Sequence, residues 1–280
     1  MKKFGNVLLN ILLRAFLIFW SITIVFPLVW MIYSSFKNNP EFYASPWMLP
    51  AEIRWENYVE AWEVSNFGTY FLNSFIVVVG TTILSFLMIT TSSYVLAKYK
   101  YKGSKFFNDF YLLCMMIPGV LLLMPRYFHL LGLGLTDNLW ILILLGSVGA
   151  IPGSCYILVG FMKGVHNSFI EAALVDGAGE WTIYSKIMIP FTKPAIFMIM
   201  LGKIMGAWND FETALTYLQD ESLYTVPIGL SNLTNQMTYH AEYGPMFAAL
   251  VLAMVPILIL YAIFQKQIMF GTSTSDGLKG

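Results

Sequence analysis

The sequence predicts an all-α fold, a polytopic membrane protein with six membrane-spanning helices, and two observations carry that expectation. Of the 280 residues 58% are hydrophobic and only 11% are charged, with a mean hydropathy of +0.66, whereas a soluble domain carries roughly 25% charge. The apolar residues also gather in windows long enough to cross a bilayer core of ~30 Å. Such a crossing takes ~20 helical residues, because an unpaired backbone amide is too costly in hydrocarbon for irregular structure to survive.

The windows fall at about 11–34, 70–97, 106–129, 138–161, 194–215 and 246–268, within a single transmembrane domain over 1–280. The first belongs to an apolar stretch from Val7 to Tyr33 that is longer than a signal-peptide core and lacks a small-x-small cleavage pattern, so it is expected to be retained. Between the first two windows, Pro40, Pro46 and Pro50 predict an extended section, and the amphipathic run Asn57-Tyr-Val-Glu-Ala-Trp62 a short interfacial helix. The segment from Tyr217 to Pro245 is acidic and rich in Tyr, Thr and Asn, which suits an external loop that meets another protein or a hydroxylated ligand, or one that is simply solvated.

Lys and Arg orient the chain. Lys2, Lys3, Arg14, Lys98, Lys100, Lys102, Lys105, Lys163, Lys186 and Lys193 fall on one side; the other has Lys37, Arg54 and Arg126, and its 216–245 segment has no Lys or Arg. Both termini are therefore expected in the cytoplasm.

Composition also excludes classes. Basic and acidic residues balance at 16 each, and no basic stripe or groove-reading motif is present, so nucleic acid is not an expected partner. Cys114 and Cys155 lie inside apolar runs as small buried hydrophobes, and His166 and His240 are isolated, so no metal site is expected. No phosphate loop of the form G-x-x-x-x-G-K-[ST] occurs; Gly202-Lys203 has neither the spacing nor the following hydroxyl.

The most informative stretch is the cytoplasmic loop 162–193. Asn167 or Ser168 can cap a helix over Glu171, Ala172, Ala173 and Leu174, and Gly177 or Gly179 can end it in a left-handed conformation. The pattern Glu171-Ala-Ala173, then Asp176-Gly177, then Ile187-Met-Ile-Pro190 resembles the signature loop of ATP-binding-cassette importer permeases, with Ile189 where that family usually has Leu. Ser35-Phe-Lys37, Asn57-Tyr58, Asn73-Ser74, Ile117-Pro118, Pro125-Arg-Tyr127, Trp208-Asn-Asp-Phe211 and the terminal Gly277-Leu-Lys-Gly280 are similar to the carbohydrate importers of the maltose type, and more narrowly to the shorter of their two permease subunits.

That resemblance implies a type I importer permease fold. It implies a non-catalytic subunit that translocates a sugar or oligosaccharide in the bacterial cell membrane, without a cofactor of its own. The implied partners are a second permease subunit, an ATPase dimer that binds ATP and Mg, and an external solute-binding protein reached by the segment 217–245. Glu171, Ala172, Ala173, Leu174, Asp176, Gly177 and Pro190 would form the coupling loop that docks on the ATPase, and Gly277, Lys279 and Gly280 a tail between the two ATPase subunits. A permease for another solute class, or an ion-coupled secondary transporter, is the competing reading, although neither an internal repeat nor a midplane carboxylate is evident.

Ionisable residues inside spans mark candidate sites. In the fifth window Lys203, Gly206, Ala207 and Asp210 recur at helical spacing, with Trp208 and Asn209 beside them. They either line a substrate path or serve as anchors, with Lys203 reaching toward the cytoplasm and Asp210 toward the outer interface. Arg126 and His129, at the end of the third window, are either ligand contacts or interfacial anchors.

Overall fold

In the computed structural model, which describes residues 2–63, 66–99, 101–240 and 242–271, the first apolar window is a single helix, α1 (Lys2–Ser34). Its most apolar 18-residue window has no buried residue, so the partner of that window is lipid or another protein, while Trp30 and Ser34 near the end of the helix are covered by this chain. The expected extended section contains a short α2 (Asn39–Ala44), where Asn38 accepts the Glu41 N–H and Pro40 sits in the first turn. The interfacial helix follows as α3 (Glu56–Glu63).

The second span is α4 (Phe67–Lys98). The third is broken: α5 (Ser104–Met116) ends before Ile117-Pro118, a 3₁₀ turn covers Gly119–Leu122, and α6 (Leu123–Gly132) continues after a 91° bend. Pro118 supplies no N–H and disfavours the helical conformation of Ile117, which is extended at ψ 116. The fourth span bends by 43° between α7 (Leu139–Val148), capped by Asn138, and α8 (Ile151–Gly164), with Pro152 in its first turn.

Two short helices come next, α9 (Asn167–Val175) and α10 (Glu180–Ile183). A π-helical turn, Tyr184–Met188, joins α10 to α11 (Ile189–Trp208). The turn ends two residues before Pro190, whose ring would meet the carbonyl of residue 186 in a regular helix. Then follow α12 (Glu212–Tyr217), α13 (Val226–His240) and α14 (Tyr243–Gly271). The fifth span thus begins fourteen residues earlier and ends sooner than its apolar window.

The chain forms two compact units, residues 1–68 with 229–256, and residues 69–228 with 257–280. The first is organised by aromatic rings. Trp30 lies 5.5 Å from Trp47 and 5.1 Å from Phe247, and Phe42 stacks on Tyr243 at 4.6 Å. Lys37 is fully buried there, with Nζ donating to the carbonyls of Ser45 and Pro46, and burial pushes its ammonium pKa down while Glu41 opposes. Asn57 Nδ2 donates to the carbonyls of Ser35 and Lys37. A β-carbon at Gly244 would stand 2.5 Å from that amide and 2.6 Å from the Lys37 carbonyl, so this approach requires glycine.

The second unit has an apolar core at each end. One gathers Ile89, Leu158, Met162, Ile183 and Met188; the other gathers Val77, Ile141, Leu142, Tyr217 and Ile228. Buried hydroxyls of Ser85, Thr90 and Ser93 let α4 approach its neighbours closely.

Candidate functional site

The loop that the sequence singles out is built from backbone capping outward. His166, instead of the expected Asn167 or Ser168, occupies the amino-terminal cap of α9, where its Nδ1 faces the Ser168 N–H at 3.4 Å and hydroxyl at 2.9 Å. Asn167 is the first helical residue, and its Oδ1 accepts from Lys98 Nζ, which also donates to the Val165 carbonyl at 2.7 Å. The end of α4 thereby holds the start of α9.

At the other end Gly177 adopts φ +77. Its N–H donates to the Leu174 carbonyl and that of Ala178 to the Ala173 carbonyl, so the last carbonyls are satisfied by a left-handed turn. Gly179, the other glycine offered by the sequence, is extended and begins α10.

The helix has two faces. Ile170, Ala173 and Ala178 pack on the core formed by Ile183, Met188 and Met162. Glu171, Ala172, Leu174, Val175 and Asp176 face outward, and Val175 is 88% exposed. Ala173 is half-buried and packs on its own chain; spacing alone does not say which side of a short helix meets the core. Pro190 is exposed in the first turn of α11.

Polar contacts fix the seat. Tyr94 donates to Glu180 Oε2 at 2.7 Å, and the Thr90 and Tyr184 hydroxyls lie 2.7 Å apart. The phenol of Tyr99, just past α4, is pushed up by its hydrogen bond to Glu180 and then by burial. Phe169 meets Phe191 at 4.8 Å.

The residues proposed for a path do not share one helical face. Trp208 ends α11, Asn209 follows with both N–H and Nδ2 bonded to the Met205 carbonyl, and Asp210 lies in the break, accepting the Thr213 N–H at 3.1 Å. Asn and Asp hydrogen-bond nearby backbone in this way, and so end helices. Trp208 is buried against Phe71. Lys203 is half-buried five residues before the helix end, ~7.5 Å along the axis, beside a groove of about 370 Å³ with Phe161, Met198 and Gly202. It lies near the end of the fifth span that is farther from α9.

A clasp at that same end escaped the sequence reading. Asp137, at φ 59, accepts the N–H groups of Gln219 and Asp220 and gives its own to the Tyr217 carbonyl. Arg126 donates to the Tyr217 hydroxyl and lies over its ring at 5.9 Å. The signal available was the Thr136-Asp-Asn138 run, since Asp and Asn tolerate left-handed backbone. Among the described residues no group of three or more His, Cys, Asp or Glu is placed to hold a metal. Gly277, Lys279 and Gly280 lie outside the described residues.

Comparison with known proteins gives concordant matches. The family profile described as "Binding-protein-dependent transport system inner membrane component" matches residues 93–270. The diacetylchitobiose uptake system permease protein NgcG of Streptomyces coelicolor is 35% identical over 91% of this chain and 84% of its own. The multiple sugar-binding transport system permease protein MsmG of Streptococcus mutans is 34% identical over 90% of this chain and 91% of its own. Among solved structures, a chain of a bacterial ABC transporter involved in import of the acidic polysaccharide alginate superposes with a TM-score of 0.81 at 20% identity, over 94% of this chain and 97% of that one.

Proposed function

The chain belongs to the binding-protein-dependent transport system inner membrane components, and from that premise we propose that it is one of two permease subunits through which an ATP-driven importer passes a sugar or oligosaccharide. The sugar reading is supported by the substrates for which its relatives are named. In this reading both termini are cytoplasmic, ATP and Mg are bound by a separate ATPase dimer, and this chain catalyses nothing and holds no cofactor. An external binding protein delivers the ligand to the side that carries α12 and α13.

The observation that carries the mechanism is α9. A short helix transmits a rigid-body movement only if it is fixed at its base and free on its outer face, and α9 is both. Lys98, Tyr94 and the Gly177 turn fix the base, while Glu171, Ala172, Leu174 and Val175 are left for a socket on the ATPase. Closure of the ATPase dimer then moves α10 and α11 with α9, and the spans alternate between inward-facing and outward-facing states. Lys203, Trp208, Asn209 and Asp210 stand near the outer mouth of the path, and the tail with Gly277, Lys279 and Gly280 reaches between the ATPase subunits.

Purification by a tag on this chain tests the assignment. A second permease and an ATPase should come down in stoichiometric amounts, with hydrolysis stimulated by the sugar-loaded binding protein. Recovery of the chain alone, together with uptake that survives depletion of ATP, would overturn it.

A further inference from the structure

The end of α4, the start of α5 and the end of α8 line a cleft of about 770 Å³ that shares only Tyr99 with the α9 seat. Its lining changes character with depth. At the rim stand Lys105, the second residue of α5, and Lys163, the next-to-last residue of α8, with Ser104 and Tyr99 beside them. Asn108 and Asp109 follow one turn along α5, and Leu112 and Ile157 stand ~10 Å along their helices from the two lysines. Asp109 is the one acid in the lining, against two cations. Gly103 offers the α5 start no side-chain cap, and the positive end of the helix dipole adds to the charge at the rim.

We propose that this cleft binds an anionic phospholipid of the cytoplasmic leaflet, with the phosphate between Lys105 and Lys163 and the upper acyl chain against Leu112 and Ile157. A cationic rim at the helix ends above an apolar floor matches the order of a lipid, headgroup outside and hydrocarbon within. A helix of another protein would bury both ammonium groups without matching that gradient. The assignment to the cytoplasmic leaflet rests on the proposed orientation; lipid retention itself is read without ATP, sugar or binding protein, so its failure leaves the importer reading standing.

The test uses the complete complex in nanodiscs of phosphatidylcholine with and without phosphatidylglycerol, with bound lipid counted by native mass spectrometry. The Lys105→Gln, Lys163→Gln double variant should retain at least about tenfold less phosphatidylglycerol, since each cation near an anionic headgroup contributes severalfold. Lys102→Gln, outside the cleft, should retain as much as the parent. Leu112→Trp, which fills the apolar end and leaves both charges, should also lose the lipid. Undiminished phosphatidylglycerol in both cleft variants overturns the proposal, as does displacement by inorganic phosphate alone, or crosslinking of a cysteine at position 105 to the second permease in place of lipid.

Discussion

Gly177 ends α9 in a left-handed turn. Its φ is +77, yet a β-carbon there would meet nothing within 4 Å, so substitution is opposed by backbone conformation and not by crowding. Gly177→Val should therefore cost about 1–3 kcal/mol of local strain and abolish uptake, whereas Gly177→Asn, a residue that enters the left-handed region readily, should keep most of it. Equal loss in both variants, measured as sugar uptake at matched membrane levels, would mean that the site rejects side-chain bulk instead. This glycine was legible in the sequence because turn chemistry is local. The role of His166 was not, because capping ranks favour Asn and Ser and do not foresee that Lys98 would engage Asn167. Glu60 gives a pH-dependent case. Burial and then Glu242 push its carboxyl up, with Arg54 opposing. An acid with a raised folded-state pKa binds its proton more tightly folded than unfolded, so its contribution is complete below the unfolded value of about 4.3 and is lost as pH rises through the raised one. Glu60→Gln stays uncharged throughout, and should melt above the parent at about pH 7 and level with it near pH 4. An advantage of the same size at both pH values would assign the effect to something other than ionisation.

At the scale of elements, α9 separates coupling from stability because its two faces have different partners. Val175→Asp changes an outward residue and should leave the melting temperature within the roughly 0.5 kcal/mol expected of a surface change, while the purified complex loses ATPase. Ala173→Glu drives a charge into the seat against Ile183 and Met188 and should destabilise the chain itself by about 1–3 kcal/mol. If Val175→Asp lowers the melting temperature as much as Ala173→Glu does, the outward face is not free. Which elements the sequence announced follows from what announces them. Spans two and six are long uninterrupted apolar runs, and their helices end within a few residues of the windows. The fifth was displaced because Glu180, Lys186 and Lys193 dilute the hydropathy of a stretch that is helical through packing of Ile183, Tyr184 and Met188. The segment 217–245 reads as loop, yet holds α13, a helix too polar to register as a span that buries Val226, Ile228 and Leu233.

At the scale of the molecule, the 91° bend between α5 and α6 raises the question whether the third window crosses the membrane or returns to the side it left. Contacts within the second unit decide it. Lys98, ending α4, bonds Val165, just past α8, so these two ends share a side. Asn73, near the start of α4, bonds the carbonyls of Ser222 and Tyr224, and Asp137, between α6 and α7, bonds Gln219 and Asp220, so those segments share the other. The chain then crosses once through α5 and α6 and returns through α7 and α8; with α1, α4, the α10–α11 helix and α14 this makes six spans among the described residues. Under the orientation set by Lys and Arg, a reporter active only outside the cytoplasm should work when fused near Asn66, Gly134 or Gln236 and stay silent near Gly103 or Glu180. Gly134 is the deciding position. A re-entrant third span would leave it silent together with Gly103, and would carry the α9 loop to the outside, away from any ATPase; activity at Gly134 with silence at Glu180 is the pattern that six spans and a cytoplasmic coupling loop require together.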